Sequence, residues 1–280
     1  RTERNRKLEK ERTRGAEMKE KLYTIELTDA VKAGDECLFC WLERKLEQEN
    51  LEFVLGSSYM ESDIRDNTSE RGFCRHHTKM MFDYGNSLGN AWILKSRMEK
   101  VNRDFKKQMG QAGAVEKGGS LLGRLFSGRK QTASVYGPAA GQSGASAWLR
   151  GENSHCYICE RMDGIYQRML DTFVYMLKND TDFGELLMVS KGFCLPHFAD
   201  VLDICQAKLT AQEQEVWIPR LTELTSRNLD RIQEDIDWLI EKYDYRNRDA
   251  DWKESRDAVQ RTMQKLTGGH PADPVFQNRK

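Results

Sequence analysis

Two short cysteine motifs occur twice in this chain, in the same order and at nearly the same distance. Cys37-Leu-Phe-Cys40 is followed by Gly72-Phe-Cys74-Arg-His-His77, and Cys156-Tyr-Ile-Cys159 is followed by Gly192-Phe-Cys194-Leu-Pro-His197. Thirty-three residues separate the inner cysteines in the first copy and thirty-four in the second. Repetition at fixed spacing is the first thing to seek in a sequence, because it exposes the structural unit. Six of the seven cysteines fall into this one pattern. The fold must therefore gather thiol and imidazole donors from distant stretches, twice.

The stretches between the motifs carry helical periodicity. Ile158, Met162, Ile165, Met169, Phe173 and Leu177 recur at steps of three and four, which places them on one helix face. Leu38, Leu42, Leu46 and Phe53 repeat this in the first copy. Two longer amphipathic runs follow: Leu94, Met98, Val101 and Phe105, then Trp217, Leu221, Leu224, Ile232, Ile236, Leu239 and Tyr243. Pro196, between Cys194 and His197, sits where a starting helix tolerates a missing N–H. Nothing alternates at period two. The expected fold is all-α, with two homologous helical repeats, each a small bundle closed by a Cys3His metal site.

A helix of about 18 residues beginning at Cys40 runs out roughly 27 Å, and the rest of the spacer is expected to bring the chain back. That hairpin sets Cys74 and His77 beside Cys37 and Cys40. The same reasoning sets Cys194 and His197 beside Cys156 and Cys159. Three thiolates and one imidazole complete a tetrahedron around Zn²⁺, and a closed four-ligand site has no position for water or substrate, so both ions read as structural. Each site then carries a net charge of about −1, which Arg71 or Arg75, and Lys191 in the second copy, are placed to temper. His76 aligns with Pro196 and reads as an exposed neighbour, His155 as a surface residue, and Cys205 as a core thiol.

Composition narrows the function classes. The 44 basic and 44 acidic side chains of the 280 residues cancel, so no global field draws the protein to nucleic acid or an anionic membrane. No apolar run reaches the ~18 residues of a membrane helix, and the charged start from Arg1 to Lys21 lacks the apolar stretch of a secretory signal. A cytoplasmic, soluble protein is expected, where thiols stay reduced and serve as metal ligands or redox groups. No phosphate loop, Ser/His/Asp arrangement or His-Glu-x-x-His motif occurs, so enzymatic activity has no positive support.

Along the chain, the composition divides into a basic tail (1–21), a first metal-binding helical repeat (22–109), a Gly-rich flexible linker (110–151), a second repeat (152–248), and a C-terminal helix with a disordered tail (249–280). The linker holds Leu121, Leu122, Leu125 and Phe126 beside basic residues. In the C-terminal segment Tyr243, Tyr245 and Trp252 are expected to pack on the bundle, with Arg246 and Asp257 pairing locally.

The duplicated motifs, together with Tyr243-Asp-Tyr-Arg-Asn247, Trp252, Asp257-Ala258 and Arg261, resemble an uncharacterised bacterial domain-of-unknown-function family. The resemblance spans about residues 20 to 268. Some members carry an automatic label as ABC transporter substrate-binding proteins, and the family implies no established activity. The reading that follows is a zinc-binding structural or interaction protein with two structural Cys3His sites, an unknown protein partner, and no membrane or nucleic-acid role. Iron–sulfur ligation and thiol-redox chemistry at the Cys-x-x-Cys pairs stand as alternatives. Covalent haem is excluded, because neither Cys40 nor Cys159 is followed by His.

Overall fold

A computed structural model describes residues 22–115, 144–152 and 154–271. The basic tail 1–21, the linker residues Leu121, Leu122, Leu125 and Phe126, and the last residues from 272 lie outside the described residues. Eleven α-helices and no strand occur among the described residues, so the all-α expectation holds. In chain order they are α1 (Thr24–Lys32), α2 (Leu38–Gly56), α3 (Ser62–Arg71), α4 (Arg75–Tyr84), α5 (Ser87–Val115), α6 (Gly144–Gly151), α7 (Tyr157–Asn179), α8 (Thr181–Met188), α9 (Leu195–Lys208), α10 (Ala211–Glu241) and α11 (Ala258–Thr267). The ends of the expected 110–151 linker are thus helical, as the last turns of α5 and the whole of α6. No described helix is long and apolar enough to cross a membrane.

The helices form two compact units that divide the chain differently from the linear boundaries. One unit joins residues up to Gln48 to those from Met162 onward, and the other spans Glu49–Arg161. Both boundaries fall inside helices, one within α2 and the other near the start of α7.

The first unit buries the stripe that periodicity picks out. Leu38, Leu42, Leu46, Met169, Phe173 and Leu177 are all buried and share one core with Leu221 and Leu224 of α10. Phe39, Phe173 and Phe193 form its centre, with ring centroids 5.6, 6.1 and 5.9 Å apart, a spacing at which edge-to-face and offset contacts are favourable. Phe39 lies between Cys37 and Cys40, and Phe193 precedes Cys194, so two of the three rings flank cysteines. α10 starts at a capping box, Thr210 accepting from the Glu213 N–H and Glu213 from the Thr210 N–H. α11 packs on α9 and α10.

The second unit has a smaller core of Leu51, Val54, Leu55, Tyr59, Met80, Met81 and Ile93. Asn86 organises it: its amide donates to the Leu55 carbonyl at 2.6 Å and its oxygen accepts from the Gly89 N–H at 2.9 Å. One side chain so holds the end of α2 and the start of α5. α3 packs along α5, and α6 docks on it through Trp148 and Phe105.

Three expectations are corrected here. On α5 the Leu94, Met98 and Phe105 stripe is exposed, and the buried positions are Gly89 and Ile93. α5 instead has Arg97 and Lys100 largely covered, Arg97 paired with Glu152 at 2.8 Å and Lys100 with Asp104 at 2.9 Å. Phe53 is also exposed, with the Arg161 guanidinium 4.6 Å from its ring centroid. Tyr243 and Tyr245 do not pack on the bundle and are the most exposed aromatics of the C-terminal segment. Only Trp252 is half-covered, with Lys242 and Arg256 on its ring. Arg246 pairs with Asp244 at 2.7 Å and Asp257 with Arg261 at 2.8 Å.

Candidate metal centres

Each of the four motifs does the same local job. Cys74 and Cys194 are the N-caps of α4 and α9, with extended backbone at φ −70°, ψ 166° and φ −79°, ψ 165°. Cys37 and Cys156 directly precede α2 and α7. In all four the N-cap carbonyl accepts from the residue four further on: Trp41 to Cys37, Thr78 to Cys74, Glu160 to Cys156 and Phe198 to Cys194. The second ligand of every motif therefore stands at the third helical position: Cys40, His77, Cys159 and His197. A cap and the third helical residue face the same way across one turn, which is why the x-x spacing serves Cys-x-x-Cys and Cys-x-x-His alike. Thiolates at helix N-termini also gain from the positive end of the helix dipole.

The eight candidate ligands assemble into two groups, Cys37, Cys40, Cys194 and His197 in the first unit and Cys74, His77, Cys156 and Cys159 in the second. This corrects the expected pairing. Each Cys-x-x-Cys meets the Cys-x-x-His of the other half of the sequence. Packing accompanies that choice: the rings of Phe193 and Phe39 lie 6.1 Å apart and those of Phe73 and Tyr157 6.5 Å apart, and in each half the return helix is the shorter, α3 with 10 residues after 19 in α2 and α8 with 8 after 23 in α7. At 1.5 Å per residue α2 runs out about 28 Å while α3 returns about 15 Å. The hairpin does not close on its own first cysteines.

In the first group His197 Nδ1 lies 3.4, 3.5 and 3.2 Å from the sulfurs of Cys37, Cys40 and Cys194, and Cys40 Sγ lies 3.7 Å from Cys194 Sγ. In the second, His77 Nδ1 lies 3.3, 3.3 and 3.4 Å from Cys74, Cys156 and Cys159. With metal–sulfur bonds of about 2.3 Å and metal–nitrogen bonds of about 2.05 Å, a tetrahedron has S···S edges of about 3.75 Å and S···N edges of about 3.6 Å. The donors already stand at those separations, within a few tenths of an ångström. Both groups can hold a metal ion.

The donors of each group perturb one another's protonation. At His197 burial opposes the charged ring, but the sulfurs of Cys194, Cys37 and Cys40, and then Glu43, outweigh it and hold the imidazole proton tightly. Burial likewise raises the Cys156 thiol, yet the hydrogen bond from His77 and two backbone N–H groups leave it lowered, to about 6. Cys159 moves the other way, pushed up by burial and by the charge of Cys156. These protons leave when a metal enters.

The first group has a supporting shell that motif reading missed. Glu43 Oε1 lies 3.2 Å from His197 Nε2, the ring nitrogen turned away from the sulfurs. A carboxylate on the far nitrogen fixes tautomer and orientation and makes the imidazole a better donor. Glu43 stands three residues after Cys40, one turn along the same face, so helical spacing could have found it. Glu36 is buried among Lys191 at 3.4 Å, Arg231 at 2.5 Å and Lys265 at 3.4 Å. Lys191 so pairs with Glu36 and Arg71 with Glu160, at 2.6 Å. His76 is exposed, as is His155 at 3.5 Å from Glu160, while Cys205 is fully buried.

Over residues 18–273 the chain matches the family of unknown function DUF6062. It belongs to that family. No curated protein and no solved structure matches it. The DUF6062 span contains all eight candidate ligands together with Glu43, Glu36 and Lys265, so both candidate centres lie inside the matched region.

Proposed function

We propose that this protein is a two-zinc structural protein, an interaction or scaffold module whose ions hold helix N-termini together. The observation that carries the reading is the donor spacing: sulfur and nitrogen atoms of each site stand near the corners of a tetrahedron drawn around one ion. An iron–sulfur cluster, whose cysteines bind different irons, spreads its ligands more widely than a single ion does, so this spacing favours the mononuclear reading. Three thiolates and one imidazole suit Zn²⁺, and four protein ligands leave no coordination position for water or substrate. That supports a structural metal over a catalytic one.

The seven free cysteines suit a compartment that keeps thiols reduced, which supports a cytoplasmic setting. The balance of 44 basic and 44 acidic side chains supports a protein partner over a nucleic acid. Elemental analysis of protein purified without oxygen tests the central claim. Two zinc ions per chain are expected. Stoichiometric iron with visible absorption, or a fully folded protein without metal, would overturn it.

A further inference from the structure

The C-terminal helix α11 reaches the ligand-bearing segments of the first metal centre more closely than any motif suggests. Lys265, only 1% exposed, directs its ammonium at three backbone carbonyls: Glu36 at 2.5 Å, Lys191 at 2.5 Å and Phe193 at 3.3 Å. An ammonium has three protons, and three acceptors take them. Glu36 immediately precedes Cys37, and Phe193 immediately precedes Cys194. One buried side chain therefore ties together the two segments, distant in sequence, that deliver the N-cap thiolates of α2 and α9.

Neighbouring residues of the same helix extend the grip. Gln264 donates to Asp35 Oδ1 at 2.6 Å, and that oxygen accepts from the Cys37 N–H at 3.1 Å. Just past the helix, the Gly269 N–H donates to Cys40 Sγ at 3.3 Å. Three groups of the C-terminal segment, Gln264, Lys265 and Gly269, thus bear on Cys37, Cys40 and Cys194. Burial pushes the Lys265 ammonium below its ordinary value, and the charges of Glu36 and Cys37 act against that.

The second centre is held differently. Arg97 of α5 links the Ser69 and Glu152 carbonyls at 2.7 and 2.8 Å. Those residues lie five before Cys74 and four before Cys156, about a full turn of chain from the sulfurs. Cys74 and Cys159 are also partly exposed, whereas Cys37, Cys40 and Cys194 are buried.

We infer that Lys265 is a positioning residue for the first metal centre, and that the C-terminal helix makes that centre a slow-exchanging metal site while the Cys74–His77–Cys156–Cys159 centre exchanges its ion readily. The inference rests on the zinc reading above. A held N-cap cannot swing a thiolate away from the ion, so a chelator must wait for α11 to loosen. At the second centre a partly exposed sulfur can be displaced stepwise.

The test is zinc release from the full chain into excess 4-(2-pyridylazo)resorcinol, followed by absorbance. Wild type should release one equivalent quickly and one slowly, and Cys74→Ser should lose the fast phase. Lys265→Met should speed the slow phase about 10- to 100-fold, the affinity scale for losing a group that orients a metal ligand expressed as faster release, and leave the fast phase unchanged. Glu36→Gln with Lys265→Met guards against misfolding from an unbalanced buried carboxylate, and Gln264→Met, which leaves both charges in place, should speed the same phase. Two equivalents leaving at one rate, or a slow phase indifferent to both Lys265→Met and Gln264→Met, would overturn the inference while leaving the zinc reading intact. Absence of zinc at the outset would instead remove the zinc reading itself.

Discussion

The carbonyl of Gly72 accepts a hydrogen bond from the N–H of Tyr157 at 2.9 Å, and the carbonyl of Gly192 accepts one from the N–H of Leu38 at 3.3 Å. Tyr157 and Leu38 are the first helical residues after Cys156 and Cys37. The crossed pairing of the two halves is thus written in the backbone as well as in the ligands: each Gly-Phe-Cys run docks on the Cys-x-x-Cys of the other half. Sulfur donors and main chain make the same choice of partner.

Metal stoichiometry of paired variants follows from that crossing. Cys37→Ser and Cys194→Ser should each remove one equivalent, and together still only one. Cys37→Ser with Cys74→Ser should remove both. Measured by elemental analysis, a single lost equivalent in the Cys37/Cys74 double variant would mean that the sites form within each half.

Both glycines need their conformations. Gly72 sits at φ 67°, ψ −162°, a region open essentially to glycine alone, and Gly192 has φ 70°. A Cβ on Gly192 would also meet Leu224 Cγ at 3.2 Å. Alanine at either position should cost about 1–3 kcal/mol in urea unfolding. Gly164, inside α7 with only Arg168 near its absent Cβ, provides the contrast: Gly164→Ala should stabilise by roughly 0.5–1 kcal/mol.

Glu43→Gln should weaken one of the two metal affinities by about 10- to 100-fold, since the carboxylate on His197 Nε2 orients that ligand. A competition titration with a chromophoric chelator reads the two affinities separately. Two unchanged constants would show that Glu43 is a bystander.

Cys205 gives a pH dependence with a definite sign. Burial pushes its thiol up to about 11, whereas an unfolded cysteine titrates near about 8.5. Between those values the unfolded chain has lost a proton that the folded chain keeps. The contribution is therefore complete below about pH 8.5 and declines as pH rises towards 11. Cys205→Ala should flatten the difference in urea stability between pH 8 and pH 11 relative to wild type, and equal slopes in both proteins would count against it.

Much of this was readable from residues alone, because local rules were enough. Helix formation followed from three- and four-residue spacing, as in Met169, Phe173 and Leu177. The eight donors followed from a motif that occurs twice, and the cap-plus-third-residue geometry lies within a single turn. Periodicity misplaced α5 because Leu94, Met98 and Phe105 form a stripe as regular as a buried one, and nothing local says that Arg97 and Lys100 will be covered instead. It also missed Lys265, since one more lysine on an amphipathic helix carries no mark of burial.

What the sequence by itself determined was the chemistry of the donors and the helices that present them, for both depend on neighbours a few residues apart. What only the tertiary structure decided was which donors stand together. That choice depends on how far each helix runs before it ends and on where the chain turns, quantities set by packing across the whole unit. Phe193 packs on Phe39 and Phe73 on Tyr157, so each half brings its Gly-Phe-Cys run to the other's Cys-x-x-Cys.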